Sequence, residues 1–130
     1  MWWAARRFVF PRLKLMETSS AAPLRRIIVR ESERMLVISI DEVDWVESAD
    51  NYVLLHVGKA THVVRETLAA LEARCPAGHF IRISRNALVN AARVRQIVAE
   101  PAGYSMLLAG GHRLPITRGI REVLARIEGA

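Results

Sequence analysis

Ser84, Arg85 and Asn86 form a polar triplet set between two apolar runs, Phe80 to Ile83 and Ala87 to Val89. Buried flanks on both sides would hold such a triplet outward, with one unpaired cation at its centre. A second polar pair, Thr117-Arg118, follows the apolar Leu114-Pro115-Ile116. A surface-anchored guanidinium can fork two parallel N–H groups onto a phosphate, or onto the O6 and N7 atoms of guanine. Two anchored arginines therefore predict a reader of anions or bases.

The distribution of charge supports that chemistry. The 130 residues carry 19 Lys+Arg against 13 Asp+Glu, a formal charge of +6, and lysine occurs only at positions 14 and 59. Arginine suits phosphate and guanine better than lysine does. From Glu31 to Asp50 seven acids face Arg34 alone, whereas from Ala73 to Arg121 eight arginines face Glu100 alone. This asymmetry predicts an electrically two-sided molecule, the footprint of a nucleic-acid binder. Other polyanions and acidic partners select the same asymmetry.

Several classes of function fit poorly. His56, His62, His79 and His112 lack metal-ligand spacing. The chain has no Gly-x-Ser-x-Gly, no phosphate-cradling glycine loop and no His–Cys arrangement around its lone Cys75. No enzyme, no metal and no cofactor is expected, and the acids between positions 41 and 50 read as a solvated loop. One cysteine excludes an internal disulfide and predicts a reduced, buried thiol in a cytoplasmic protein.

Around those residues the pattern is mainly β. Leu24–Arg30 and Arg34–Ile40 are apolar, β-branched runs that read as a hairpin, and Tyr52–Val57 pairs with Ala60–Glu66 around Gly58-Lys59. His79–Ile83, Val94–Ala99, Tyr104–Leu108 and His112–Ile116 supply further short strands, separated by Pro101-Ala102-Gly103 and Gly110-Gly111. Asp41–Trp45 has room for one helical turn. Thr67–Cys75 sets Leu68, Leu71 and Cys75 on one helical face, and Ile120, Val123, Leu124 and Ile127 at i, i+3, i+4 and i+7 predict a closing amphipathic helix. With Thr117 as cap of that helix, Arg118 falls in the first turn, where the macrodipole disfavours a cation, and no acid follows until Glu122. A charge placed against the dipole suggests a missing anion. Asn51 next to Asp50 reads equally as a turn residue, Asn90 as a strand end or cap, and Trp45 and Tyr52 as packing aromatics.

Residues 1–23 read as a separate basic aromatic arm, expected to be disordered. Trp2, Trp3, Phe8 and Phe10 are interleaved with Arg6, Arg7, Arg12 and Lys14, and Thr18–Pro23 has linker composition. Its apolar runs are far shorter than the ~18–20 residues of a membrane span. Contact with a membrane is expected to be no more than weak adhesion of this arm. The domain proper is expected to occupy residues 24–130.

Taken together, Phe80-Ile-Arg-Ile-Ser-Arg-Asn-Ala-Leu-Val-Asn90, the strands around Ile97 and Tyr104–Leu108, and Leu114-Pro-Ile-Thr-Arg118 before the last helix resemble the LytTR (LytR/AlgR-type) DNA-binding domain. Glu47-Ser-Ala-Asp-Asn-Tyr52, then a strand, a β-turn and Arg65-Glu-Thr-Leu68, is similar to that family's first recognition loop and the helix after it. The likeness covers roughly residues 25–128. It departs where the family usually has His-Arg-Ser: Ser84-Arg85-Asn86 keeps the arginine and loses the histidine. The phosphoacceptor receiver commonly attached to this domain is not expected in the chain.

The resemblance implies stacked antiparallel sheets in a three-sheet fold, and a bacterial, response-regulator-like transcription factor that inserts loops into successive major grooves of bent duplex DNA. It implies Asn51 or Tyr52, Arg85 and Arg118 as base-facing residues. Ser84, Asn86, Arg82 and Arg121 then hold phosphates and set register. Double-stranded DNA is the expected partner, with a second protomer on repeated half-sites as a further one. A basic-face module for RNA, anionic lipid or a protein is the alternative, but the chain has only eight aromatics, four of them in the arm, to offer stacking platforms.

Overall fold

Alternation of apolar and polar residues builds the first hairpin of the computed structural model, which describes residues 23–130. The arm expected over residues 1–23 thus lies almost wholly outside the described residues. In β1 (Arg26–Arg30) and β2 (Met35–Ser39), Ile27, Val29 and Ile38 face inward, while Ile28 and Val37 oppose each other on the outer face. A 3-10 turn at Ile40–Glu42, started by the Ser39 hydroxyl accepting from the Asp41 N–H, leads to β3 (Trp45–Ala49), β4 (Tyr52–Val57) and β5 (Ala60–Val64). Helix α1 (Leu68–Arg74) is capped by the Thr67 hydroxyl, which accepts from the Ala70 N–H at 3.1 Å. Then come β6 (Phe80–Ser84), β7 (Ala87–Asn90), a 3-10 turn at Ala91–Arg93, β8 (Val94–Glu100), β9 (Gly103–Leu108), β10 (Arg113–Ile116) and α2 (Ile120–Glu128).

Every pairing is antiparallel, and the described strands form three sheets: β1-β2, the five-stranded β5-β4-β3-β7-β6, and β10-β9-β8. The mainly β, three-sheet expectation is met. The five-stranded sheet is the middle layer. Val46, Val53, Leu55 and Leu88 join Ile27, Val29, Ile38 and the α1 residues Leu68 and Leu71 in one core, whereas Ile81, Ile83 and Val89 join Met106, Leu108, Ile116 and the α2 residue Val123 in another. Strand β7, sandwiched on both faces, is buried at all four positions, which is why Ala87-Leu88-Val89 reads as a continuous apolar run. Among the described residues no helix is long and apolar enough to cross a membrane.

Two local expectations are corrected. The helical turn foreseen at Asp41–Trp45 forms slightly earlier, at Ile40–Glu42, and the acids beyond it do not form a solvated loop. Instead Trp45–Ala49 is the central strand of the middle sheet, paired with β4 on one side and β7 on the other. The weak β-propensity of Glu47, Ser48 and Ala49 is overridden by two ladders and by Val46, which is fully buried. Asp44 is buried beside Arg93, 3.2 Å away, and accepts from the Gly58 N–H at 3.0 Å.

Asn90 is the structural residue its position suggested. Its buried side chain donates to the Val43 carbonyl at 2.8 Å and accepts from the Ala92 N–H at 3.0 Å, tying the start of β3 to the end of β7. Cys75 ends α1 half-buried against the first core, and burial pushes its thiol up from 9.0 to about 11, against the smaller opposing pull of Arg74. The native thiol keeps its proton where the unfolded one has lost it, so the unfolded chain binds fewer protons between pH 9.0 and about 11 and stability falls as pH rises through that window. Melting curves of wild type and Cys75→Ala across this range should converge as pH rises; parallel curves would show that the thiol contributes nothing.

Candidate nucleic-acid interface

The triplet Ser84-Arg85-Asn86 forms the tight turn between β6 and β7. The Asn86 N–H donates to the Ser84 hydroxyl at 3.2 Å, and Arg85 and Asn86 are exposed. Arg82 clasps this turn from behind: Nε donates to the Ser84 carbonyl at 3.0 Å, one terminal nitrogen to the Arg85 carbonyl at 2.9 Å, and the other to Glu72 of α1 at 2.8 Å. The guanidinium expected to hold a phosphate therefore has its donors engaged inside the protein. Arg85, by contrast, has no ion-pair or side-chain hydrogen-bond partner among the described residues.

Asp50-Asn51 make the two-residue turn between β3 and β4, with Asp50 at φ 57°, a left-handed conformation that aspartate tolerates better than most residues. The expectation of a helical turn before it is replaced by a strand on each side. Ser48 connects this turn to the next: its N–H donates to the Asn86 carbonyl at 2.9 Å and its hydroxyl to Asn86 Oδ1 at 3.1 Å. Both turns thus lie at one end of the middle sheet, on neighbouring strand pairs. Ser48 was not singled out from sequence because its partner lies 38 residues away and no local pattern signals it.

The third segment docks at the same end. The N–H groups of Thr117 and Arg118 both donate to the Ile83 carbonyl, at 2.9 and 3.0 Å. Gly119, not Thr117, is the N-cap of α2, without a side-chain bond, so Arg118 precedes the helix instead of occupying its first turn. The argument from a cation opposing the dipole loses its premise; an acid, Glu122, stands in that turn and lies 3.8 Å from Arg118. Its i,i+4 spacing was the available signal. Arg121 is exposed on α2.

An open groove of about 510 Å³ runs between the second and third segments, walled by Glu47, Ser84, Arg85, Asn86, Pro115 and Thr117. Glu47 is held by His56, with Nε2 at 2.8 Å from its carboxylate, and the His56 ring stacks on Trp45 at 4.1 Å. Trp45 is thus a packing residue. Tyr52, exposed, lines a different groove, with Arg30 and Arg65. The structure brings Asn51, Ser84, Arg85, Asn86 and Arg118 to one end of the sheet and turns Arg82 inward.

The electrostatics are less two-sided than the linear sequence. Acidic β3 pairs with β7 from the basic half, and five of the eight arginines between Ala73 and Arg121 meet carboxylates: Arg74 with Glu66, Arg82 with Glu72, Arg93 with Asp44, Arg113 with Glu100, and Arg118 with Glu122. Glu100 has its pKa lowered, first by the Ser105 hydroxyl and then by Arg113. Arg85, Arg95 and Arg121 have no carboxylate partner among the described residues. Four of the five neutralising acids come from outside the basic segment.

Removal of the clasp has a separable signature. Arg82→Ala should cost about 1 kcal/mol of stability by stripping a half-buried partner from Glu72 and two turn carbonyls. It should weaken ligand binding without changing its salt dependence, because no phosphate is released. A reduced salt slope would show that Arg82 reaches the ligand.

The model of the LytTr DNA-binding domain matches residues 33–127 of this chain. The sensory transduction protein LytT of Bacillus anthracis is 22% identical over 109 residues, covering 82% of this chain and 44% of that protein. LytT of Bacillus subtilis (strain 168) is 21% identical over 114 residues, covering 85% and 46%. The chain therefore spans under half the length of these curated relatives. A solved LytTr DNA-binding domain from Bacillus cereus superposes with a TM-score of 0.70 at 17% identity, over 82% of this chain and 99% of that one, a likeness of fold.

Proposed function

Because this chain belongs to the LytTr DNA-binding domain family, we propose that it regulates transcription by binding duplex DNA at specific sequences, presenting three loop segments to the major groove. The observation that carries this reading is the convergence of the Asp50-Asn51 turn, the Arg85-Asn86 turn and the Thr117-Arg118 link on one end of the middle sheet, each tied there by backbone hydrogen bonds. Segments held this rigidly present side chains at fixed spacing without ordering cost at binding. Arg85 and Arg118 supply the fork that fits guanine, and Asn51 the amide that fits adenine N6 and N7. Tyr52, Ser84, Asn86 and Arg121 flank them, the last three as phosphate and register contacts. Arg82 acts on the DNA only through the turn it clasps. A second protomer on a repeated half-site extends the same surface.

Selection from random duplex tests the proposal. One enriched motif of a few base pairs, bound in preference to single strands of the same sequence, is the expected result. Recovery of unbiased sequence, or equal competition by single-stranded DNA or RNA, would favour a general basic-face module instead.

A further inference from the structure

We infer that Arg30 and Arg65 form a second anion site, a clamp for the DNA phosphates that flank the base pairs read by the first turn. The inference rests on the duplex-binding reading above. In sequence each of these arginines is followed at once by an acid, Arg30-Glu31 and Arg65-Glu66. The fold separates both. Glu31 is paired with Arg34 at 2.9 Å and lies 3.9 Å from His62, and Glu66 is paired with Arg74 at 2.7 Å. Arg30 and Arg65 are left exposed, with no carboxylate partner among the described residues; Arg30 bonds only the weakly accepting Met35 sulfur, at 3.3 Å.

Both then line one groove of about 430 Å³ with Ile28, Tyr52, Val63 and Val64, and no acid lines it. The register Val53↔Val64, continued by one residue, sets Arg65 level with Tyr52 at the start of β4, directly after the Asp50-Asn51 turn. Two uncompensated guanidiniums beside a base-facing turn match the charge of a sugar–phosphate backbone leaving the groove that the turn enters. The apolar floor of Ile28 and Val63, 46% and 51% exposed, suits the deoxyribose face between phosphates.

The test uses the full chain with Arg30→Ala, Arg65→Ala and the double variant, titrated against the selected duplex and single-base variants of it at several salt concentrations. Each single variant should weaken all duplexes alike by several-fold, leave base preferences intact, and reduce the salt slope by ~0.9, the double variant by about twice that. Lysine at either position should restore most of the loss, since a phosphate accepts a point charge. Melting temperatures close to wild type will exclude unfolding. The inference is overturned if wild type binds tightly and the double variant keeps its affinity and salt slope, or if base preference changes. It is also overturned if the substitutions abolish binding to vesicles of anionic phospholipid while sparing duplex binding. Failure of the wild type to bind duplex DNA at all removes the parent reading and this site together.

Discussion

Duplex affinity should fall about 40-fold as salt rises from about 50 to about 200 mM, if roughly three phosphates are neutralised and each releases ~0.9 of a counterion. The count comes from structure rather than composition. Of the basic residues on elements around the loop-bearing end of the middle sheet that are not assigned to bases, Arg30, Arg65 and Arg121 have no carboxylate within reach among the described residues, whereas Arg82 and Arg74 are spent on Glu72 and Glu66. Counting every arginine from Ala73 to Arg121 would give a slope more than twice as steep. Titrations at four or more salt concentrations measure the slope directly. A flat dependence would remove phosphate neutralisation as a source of affinity, and a slope near −7 would mean that the ion pairs open on binding.

Arg85→Ala and Arg118→Ala should each cost about 1–3 kcal/mol on the best site and erase preference at one or two base pairs, while Arg121→Ala weakens all sequences alike. The difference follows from how the residues are held. Arg85 sits at the tip of a turn whose carbonyls are gripped by Arg82 and whose Asn86 is tied to Ser48. Arg118 is anchored by its own N–H on the Ile83 carbonyl. Arg121 stands on an exposed helical face with no such anchor. Thermal stability of Arg118→Ala should stay within about 0.5 kcal/mol of wild type, because its pairing with Glu122 is solvent-exposed at 3.8 Å and surface pairs contribute little. Binding to single-base operator variants, with melting curves alongside, separates the outcomes. A uniform loss of affinity for Arg118→Ala with unaltered base preferences would place it on phosphate.

Most of the architecture was legible in the sequence because its signals are local. Hairpins at Arg26–Ser39 and Tyr52–Val64, the strand-turn-strand around Arg85 and the amphipathic α2 are written in residue periodicity and turn chemistry within a few positions. The polar triplet with its central arginine was visible for the same reason, since apolar runs on both sides must go inward. Strand β3 was not visible. Glu47, Ser48 and the acids before them carry no strand pattern, and only the ladders to β4 and β7, together with the buried contacts of Val46, make the segment extended.

The tertiary structure alone decided which arginines are available. Arg82 and Arg85, three residues apart, are both read from sequence as contacts to DNA, yet one bonds Glu72 and the turn carbonyls and the other has no partner among the described residues. Glu31 and Glu66 likewise leave their adjacent arginines for Arg34 and Arg74. Thr117 seemed placed to cap α2, but the strand-to-helix link is docked on Ile83 and the helix starts at Gly119 instead. Burial follows from the hydrophobic period of a segment, a property of neighbours along the chain. Ion pairing is set within about 4 Å in space, where strand alternation and sheet order choose the partner from anywhere in the sequence.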